Sequence, residues 1–404
     1  MRIPGHIRRH WADTLLSLAI STAHGGLNTL LPPLFREEGK GPVVIGALVA
    51  VSAVIALMMR LPGGMLYSRN RLRWLLLGSL ALAAVAPACY PLTTDDRLLT
   101  LIGAVDGIGF SAATTVNMAA MMEAIHPDEN RAAAVSFFVS GMSFGFAISS
   151  YLWSVVAENV SYPAAFTGMI VVYGLAALLV LLVRRAPLAD QPAAVARPAA
   201  KGWRRAQSFG AVLLDPVVLF TVLGAFFLNV YLSQFQTFLP LTLLPLGVTL
   251  AQVGALRSIW SLTNALGRPF GGAVLAVVDS RRTQTGALMV QAAMLALFAL
   301  ALPLGIYVVV TIVAASGRAI CYVANAVALS EVDPKRVGRG VASGIMNAAG
   351  DLGNILGPVS GGLIASVAGY EHFWLISPPL YLAIYLVALA GTRLGGVQRR
   401  PAAV

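Results

Sequence analysis

The chain has 404 residues, of which 58% are hydrophobic and only 11% charged, and its mean hydropathy is +0.78. Soluble domains carry about 25% charged residues, so this composition excludes a soluble globular protein and a disordered one. The two cysteines, Cys89 and Cys321, are too few for a disulfide framework or a thiolate metal site. The composition is typical of a membrane protein with many spans.

Apolar stretches of about 20 residues, each long enough to cross a bilayer as a helix, occur twelve times along the chain. They start near Trp11, Val43, Trp74, Leu98, Ala132, Pro163, Asp215, Gln252, Thr283, Gly305, Gly338 and His372. The first stretch is polar within and has no small-residue cleavage site, so we expect a retained helix rather than a signal peptide. The sequence therefore predicts an all-α membrane protein with twelve transmembrane helices.

The basic residues orient the spans. If the N-terminus is cytoplasmic, 21 of the 28 Lys and Arg residues lie on that side and only Arg36, Lys40 and Arg97 lie outside. This bias predicts that both termini are cytoplasmic, in a plasma membrane such as the bacterial inner membrane. It also accounts for the net charge of +11, which indicates contact with membrane lipid rather than with nucleic acid.

The chain also contains an internal repeat. Residues 188–208 are rich in Ala, Pro and Arg and are predicted to form a cytoplasmic linker between an N-terminal half, 1–187, and a C-terminal half, 209–404. At a constant offset of 208 residues, polar and glycine positions coincide between the halves: Arg60 with Arg268, Asn117 with Asn325, Glu123 with Glu331, and Gly145 with Gly353. Such parallel repeats favour a two-half transporter with its site between the halves.

The loop after the second span reads Gly64-Met65-Leu66-Tyr67-Ser68-Arg69-Asn70-Arg71-Leu72-Arg73. Over its whole length the chain resembles the major facilitator superfamily, in which this loop reads Gly-x-Leu-Ala-Asp-Arg-x-Gly-Arg-Arg. Gly64, Leu66, Arg69 and Arg73 fit the motif, while Ser68 replaces its acid. The resemblance implies a latch between the halves at this loop, and we expect Arg60 and Arg268 near the inner face to serve the same gate.

A second motif lies in the eleventh span, where Gly357-Pro358 is followed by Gly361-Gly362. Drug/proton antiporters of the superfamily carry this run in their fifth span instead. The resemblance implies two pseudo-symmetric six-helix halves, alternating access, a drug- or metabolite-efflux-like branch, and no cofactor beyond the proton gradient. The fold class predicted here is therefore the major facilitator fold.

Ionisable residues within spans are costly and by default functional. Asp106 in the fourth span and His24 in the first fall at similar depths, so we predict that Asp106, with His24, binds the coupling proton. The alternative is a neutral Asp106 hydrogen-bonded to a neighbouring helix and a His24 packed against a carbonyl. Both interpretations stay open from the sequence alone.

Arg318 and Asp351 both fall near the middle of the membrane. Arg318 is predicted to bind an anionic group of the substrate, and Asp351 to take part in the same site. The alternative is a structural ion pair between the two, which costs less than either buried charge alone. Arg257, near the outer mouth, is expected either to steer anions or to extend to the lipid headgroups.

Polar residues recur at helical spacing in four spans. The predicted substrate-binding residues among them are Asn28 in span 1, Asn117 in span 4, Asn229 and Gln236 in span 7, and Tyr322 and Asn325 in span 10. The resemblance implies that these four spans line the cavity. The alternative is that the same residues form hydrogen bonds between helices.

These features predict a proton-coupled secondary transporter that exports a small amphipathic compound such as a drug or metabolite. The first alternative is proton-coupled uptake of an organic anion, and the second, from another class, is a non-transporting receptor or scaffold. The sequence lacks a P-loop and a hydrolase motif, so no enzymatic role is expected. The expected partners are a small-molecule substrate and membrane lipid, without nucleic acid, metal or a second copy of the chain.

Overall fold

The computed structural model describes residues 5–66, 68–126, 130–183, 216–330 and 339–394; the side chains of some helix ends, including residues 60–66 and 69, are not described. The predicted linker, 188–208, lies outside these ranges, so the domain boundaries stay a prediction. Within them the chain is helical and contains no strand, which confirms the all-α fold class.

The N-terminal helices, which we call the N-bundle, are α1 (Gly5–Glu37), α2 (Pro42–Leu66), α3 (Leu72–Cys89), α4 (Asp96–Ala124), α5 (Arg131–Asn159) and α6 (Tyr162–Val183). The helices that follow, the C-bundle, are α7 (Pro216–Leu243), α8 (Leu250–Leu266), α9 (Arg268–Leu275), α10 (Ser280–Ala296), α11 (Leu304–Ser330) and a long helix, Arg339–Leu394. That helix divides at Gly369, which has a φ of 77°, into α12 (residues 339–368) and α13 (residues 370–394).

The described helices account for the predicted spans with one subdivision. The eighth span consists of α8 and α9, which break at Gly267 because Pro269 has no N–H to continue the helix. Eight helices of the described ranges are long and apolar enough to cross a membrane, the last of them running through α12 and α13. The remaining segments are shorter or, like α1, more polar, so their place in the bundle depends on packing rather than on hydropathy.

Two faces of the molecule can be named from the topology. The face at which α1 begins and α13 ends is called here the terminal face, and the other is the opposite face. Turns on the opposite face contain Gly39 and Gly247, which are equivalent in the repeat and have φ values of 79° and 83°. Only glycine takes up such a backbone conformation at little cost.

The repeat seen in the sequence also appears in the packing within each bundle. Gly145 of α5 lies directly against the carbonyl oxygen of Leu18 in α1. Gly353 of α12 lies in the same way against the carbonyl oxygen of Phe226 in α7. Gly353 and Phe226 are the repeat equivalents, 208 positions later, of Gly145 and Leu18. A Cβ atom would not fit at either glycine, so the helices approach closely as small residues allow.

The two bundles meet through a second pair of equivalent contacts. Gly46 of α2 touches the carbonyl oxygen of Pro358 in α12, and Gly254 of α8 touches that of Ser150 in α5. Gly254 and Pro358 are the repeat equivalents of Gly46 and Ser150. α1 and α7 complete the junction, so the interface has the two-fold pseudo-symmetry that the repeat predicts.

Candidate functional site

A cavity of about 350 Å³ lies between the two bundles. Six of the sequence-predicted site residues line it: His24, Asn28, Gln236, Arg268, Arg318 and Asp351. More than half of the lining side chains are polar or charged, and the rings of Phe110, Phe146 and Trp260 provide most of the aromatic surface. The cavity therefore combines polar and charged side chains with apolar and aromatic surface.

The cavity is sealed toward the opposite face. Arg257 Nη1 donates to the carbonyl oxygens of Asn28 (2.9 Å) and Gln236 (2.8 Å), and Ser258 donates to the carbonyl oxygen of Ala147. Farther out, Arg36 donates to the carbonyl oxygen of Leu241. Ala251 N–H also donates to Glu158 Oε2 across the two bundles on this side. These bonds close the cavity toward the opposite face, which indicates access from the terminal face.

On the N-bundle side of the cavity lies a buried acid beside a histidine. His24 Nδ1 is 3.3 Å from Asp106 Oδ1, and Ser52 Oγ donates to Asp106 Oδ2 at 2.7 Å. The ring of Phe110 stacks on the His24 imidazole with centroids 3.6 Å apart. Asp106 is 3% exposed and does not itself line the cavity, so His24 stands between the cavity and the carboxylate.

Local packing explains how these side chains meet. Gly107, next to Asp106, lies against the carbonyl oxygen of Ser52, which a Cβ atom would approach to 2.6 Å. α4 therefore comes close enough to α2 for the Ser52 hydroxyl to reach the carboxylate. Sequence reasoning placed His24 and Asp106 at one depth but missed Ser52, because a single serine in an apolar helix has no periodic signal.

Arg318 is the main charge on the C-bundle side. Its Nη1 donates to the carbonyl oxygen of Leu228 (2.5 Å) and its Nη2 donates to Asn229 Oδ1 (3.1 Å). Among the described residues no ion pair joins it to Asp351, although both line the cavity. The predicted structural pair between these two residues is therefore not formed in this conformation.

Arg268 follows Gly267 at the break in the eighth span and lines the same side of the cavity. Its guanidinium lies 4.9 Å from the centroid of the Tyr322 ring, which is 45% exposed. Its Nε is buried and has no hydrogen-bond partner among the described residues. Arg268 and Arg318 thus provide two guanidinium groups at the cavity, while Tyr322 supports Arg268 and does not line the cavity.

Three predicted binding residues pack within one bundle and do not line the cavity. Asn117 is buried and its Nδ2 donates to the carbonyl oxygen of Asp13 at 3.0 Å. Asn325, its repeat equivalent, is buried beside Gly224, and its Oδ1 has no partner among the described residues. Asn229 contacts Arg318, so it orients the cation rather than facing the cavity.

The predicted gate motif is described only in part. Gly64 lies in the last turn of α2 and Arg69 begins the short turn before α3. The surroundings of these two residues and of the Arg60 side chain lie outside the described residues. Arg73 is half-buried, and its Nε has no partner in the described part of the chain. The latch role of this loop stays a prediction.

Several lining residues were not predicted. They are short polar side chains on the helices between the four polar spans, namely Ser52 of α2, Ser143 of α5, Ser261 and Asn264 of α8, and Asn354 of α12. Spacing within one helix shows that residues share a face but not which face meets the cavity. The described residues contain no group of three or more His, Cys, Asp or Glu side chains that could hold a metal ion.

Comparisons with known proteins agree with this geometry. The sequence matches the Major Facilitator Superfamily over residues 14–341 and 245–402. The fold is similar to that of a mutant of the nucleoside transporter NupG, with a TM-score of 0.77 and 16% identity over 95% of this chain and 99% of that one. Among curated proteins, none is significantly similar in sequence.

A second similar structure is a bacterial homologue of the human lysosomal transporter Spinster. In its inward-facing, occupied conformation the TM-score is 0.75, with 14% identity over the full length of both chains. In its inward-facing, unoccupied conformation the TM-score is 0.71, with 14% identity over 98% of this chain and 94% of that one. Identities this low demonstrate a shared fold and no more.

Proposed function

The chain belongs to the major facilitator superfamily and is a membrane transporter rather than an enzyme; on that premise we propose that it couples transport to protons. In this proposal Asp106 and His24 bind the proton, the cavity binds a small polar organic solute with an anionic group, and alternating access moves both across the membrane. The observation that carries the proposal is the buried His24–Asp106 contact at the wall of a cavity that also presents two guanidinium groups.

Proton binding is supported by the surroundings of Asp106. A carboxylate at 3% exposure is costly in its ionised form unless hydrogen bonds or a charge compensate for the lost water. Ser52 and His24 provide that compensation through their contacts with the two carboxylate oxygens. Because His24 lies between the cavity and Asp106, a proton arriving from the cavity reaches the carboxylate through one side chain.

An anionic group on the solute is supported by the C-bundle side of the cavity. Arg318 and Arg268 are hydrogen-bonded or stacked against neutral groups only, among the described residues. Two cations of this kind, one buried and one half-buried, favour a negatively charged ligand, since guanidinium groups bind carboxylates through paired hydrogen bonds. This feature favours the organic anion over the amphipathic compound that the sequence suggested first.

Export of a small amphipathic compound remains the second candidate. Phe110, Phe146 and Trp260 offer ring surfaces to an apolar part of a solute. The transporter NupG, which has a similar fold, is named for nucleosides, in which a ring is joined to polar groups. By analogy, we propose that a ring also fits this cavity. We propose a solute with one ring-sized apolar part and one acidic group.

The positive-inside bias supports a proposal for the orientation of the chain in the membrane and for its conformational state. We propose that the termini are cytoplasmic in a bacterial inner membrane and that the structure is therefore inward-facing, since the cavity is sealed at the opposite face. We expect one chain to suffice, because the cavity is built from a single copy. A non-transporting receptor or scaffold is disfavoured, since such a protein has no need for a buried acid–histidine contact.

The experiment uses purified protein in liposomes that contain a pH-sensitive dye. Small organic acids, their neutral amides and amphipathic drugs are added outside, and solute-driven proton flux is recorded. The proposal expects flux with one class of acids and none with the matching amides. Flux with amphipathic drugs alone would favour the second candidate, and solute uptake that is unaffected by a proton uncoupler would exclude proton coupling.

Asp106→Asn tests the proton site in the same liposomes. It preserves the shape of the side chain and its contact with Ser52 but cannot ionise, so we expect solute exchange to continue while proton flux stops. Asp96→Asn is the matched control, because Asp96 is an exposed acid on the same helix, paired with Lys40 on the opposite face. Proton flux that persists in Asp106→Asn would exclude Asp106 as the coupling site.

A further inference from the structure

One buried cation lies outside the cavity, between it and the opposite face. Arg257 of α8 is 4% exposed, so its side chain does not extend to the lipid headgroups. Its Nη1 holds the carbonyl oxygens of Asn28 in α1 and Gln236 in α7 at 2.9 and 2.8 Å. No carboxylate pairs with it among the described residues. A guanidinium carries five N–H donors, and neutral carbonyls are weak partners for a buried charge.

The two carbonyl partners are equivalent in the repeat, since residue 236 follows residue 28 by 208 positions. A single side chain therefore joins corresponding points of the two bundles. Gln236 and Arg257 belong to the C-bundle, whereas Asn28 belongs to the N-bundle. If the bundles separate at the opposite face, the hydrogen bond from Arg257 to the Gln236 carbonyl stays within the C-bundle. The hydrogen bond to the Asn28 carbonyl, which crosses to the N-bundle, is then broken.

We propose that Arg257 is a second anion-binding subsite, used when the cavity opens to the opposite face, and that its ligand is a small aromatic or similarly compact carboxylate. The carboxylate and the Asn28 carbonyl compete for the same Nη1 donor, so the gate closes only after the anion has moved inward. This inference rests on the proposed alternating access. It is separate from the anion site at Arg318.

The surroundings of Arg257 define the ligand class. A small void beside it is lined by three rings, of which those of Phe235 and Trp260 are stacked with centroids 4.2 Å apart. The third ring is that of Phe146, and the rest of the lining is mostly polar: Asn28, Ser150, Gln236 and Ser261. Planar apolar groups pack well on such rings, whereas a phosphate or a sugar acid would leave them uncovered. The same Trp260 also lines the main cavity, so one ring borders both the void beside Arg257 and the cavity that contains Arg318.

The test measures the distance between the bundles at the opposite face. Spin labels are placed at Val160, at the end of α5, and at Leu246, after α7, which are 72% and 51% exposed. Cys89 and Cys321 are first replaced by Ala. Sodium benzoate is the probe, and benzamide, of the same shape without charge, is its control. We expect benzoate to raise the population with the longer distance and benzamide to leave it unchanged.

Arg257→Gln removes the charge and keeps a polar amide, although the shorter side chain cannot reach both carbonyls. We expect the distance distribution of this variant to ignore benzoate, whatever its starting population. Arg257→Lys keeps the charge but loses the paired N–H donors of the guanidinium group. It should therefore need an about tenfold higher benzoate concentration for the same response, which corresponds to the weakening of one charge-assisted hydrogen bond. Arg97→Gln is the matched control, because Arg97 is an exposed cation at the start of α4 on the opposite face and does not line the cavity, and it should respond to benzoate as the unsubstituted protein does.

Three results would overturn the inference: an unchanged distance on adding benzoate to the unsubstituted protein, an equal shift with benzamide, or a normal benzoate response in Arg257→Gln. A response lost in Arg318→Gln but kept in Arg257→Gln would place the anion in the central cavity alone. That outcome would leave the proposed function intact. Proton flux that does not depend on Asp106 would instead overturn the proposed function. The inference that benzoate binds at Arg257 would not be affected by that result.

Discussion

At equivalent positions of the repeat, 208 residues apart, the N-bundle carries Phe110 and the C-bundle carries Arg318. Phe110 stacks on His24, whose own equivalent is Leu232, so the acid–histidine contact has no counterpart in the C-bundle. Arg318 in turn donates hydrogen bonds to Leu228 and Asn229, whereas the equivalent N-bundle residue offers only the ring of Phe110. The two walls of one cavity therefore differ in chemistry, with the acid–histidine contact on one and two guanidinium groups together with Asp351 on the other.

The contacts between the bundles, by contrast, are nearly the same in both copies. Gly46 meets Pro358 and Gly254 meets Ser150, and each pair is the other shifted by 208 residues. The comparison teaches that the interface between the bundles is symmetric, while the walls of the cavity are not. Under the proposed function, symmetric contacts would allow the bundles to rock, and asymmetric walls would let proton and solute bind at different places.

The largest expected effect is at the symmetric interface. Gly46→Ala and Gly254→Ala each place a methyl group against a backbone carbonyl that cannot move aside. We expect either variant to disfavour the closed opposite face by about 1–3 kcal/mol, a population change of roughly 5- to 150-fold. The distance between the labels at Val160 and Leu246 measures it. Gly78→Ala is the control, because nothing lies within 4 Å of a Cβ there.

Equal effects of the two alanine variants would support functional symmetry of the interface. If Gly46→Ala opens the face and Gly254→Ala does not, the two contacts are not equivalent and the rocking motion has one principal hinge.

The next effect concerns the fixed cation. Arg318→Gln removes a charge that we propose binds the anionic group, so the Kd for the solute should rise by about 10- to 150-fold, corresponding to a charge-assisted hydrogen bond of about 1.5–3 kcal/mol. Calorimetric titration with the acid identified by the proton-flux screen measures it. Arg318→Lys keeps the charge and should lose less. A Kd unchanged in both variants would remove Arg318 from the site.

A smaller effect is expected at the titratable wall. Ser52 donates to the buried Asp106 at 2.7 Å, so Ser52→Ala leaves this acid with one hydrogen-bond partner fewer. Proton-coupled transport should therefore fall by about tenfold, the effect of losing one charge-assisted bond of ~1.5 kcal/mol. The rate of solute-driven proton flux in liposomes measures it. Ser143→Ala is the control, because Ser143 also lines the cavity, and it should lose less. An equal loss in both variants would contradict a specific role of the Ser52–Asp106 bond.

The smallest effect is a difference between equivalent asparagines. Asn117 donates to a carbonyl of α1, whereas the Oδ1 of Asn325 has no partner among the described residues. Asn117→Ala should thus lower the free energy of unfolding by about 1–2 kcal/mol, and Asn325→Ala by less than about 0.5 kcal/mol. Thermal unfolding of the purified variants compares them. A larger loss for Asn325→Ala would indicate a partner on the cavity side.

Much of the fold could be predicted because hydropathy and charge act at the scale of whole spans. Spans predicted near Val43, Leu98 and Ala132 begin at Pro42, Asp96 and Arg131 in the structure. The break at Gly267 was not predicted, since a Gly-Arg-Pro sequence within a span can kink a helix or end it. The first helix begins at Gly5, before the predicted Trp11, because polar residues can extend a helix beyond its apolar part.

The site was predictable only in part, for a different reason. His24 and Asp106 share a depth, and the structure brings them within 3.3 Å, but a pairing across helices depends on rotation about each axis. Asn117 and Asn325 have the same spacing and polarity as Asn28 and Gln236, yet they face neighbouring helices. Helical periodicity cannot distinguish these cases, and the short hydroxyl of Ser52 has no periodic signal at all.

The most direct measurement is infrared difference spectroscopy of the carboxylic acid carbonyl stretch in the purified protein. If Asp106 takes up the transported proton, acidification should produce a band that is absent in Asp106→Asn, and adding the solute should shift the pH at which it appears. Arg318→Gln should keep the band but lose its response to the solute. A band that is equally strong in Asp106→Asn, or one that ignores the solute in the unsubstituted protein, would contradict proton coupling at this wall.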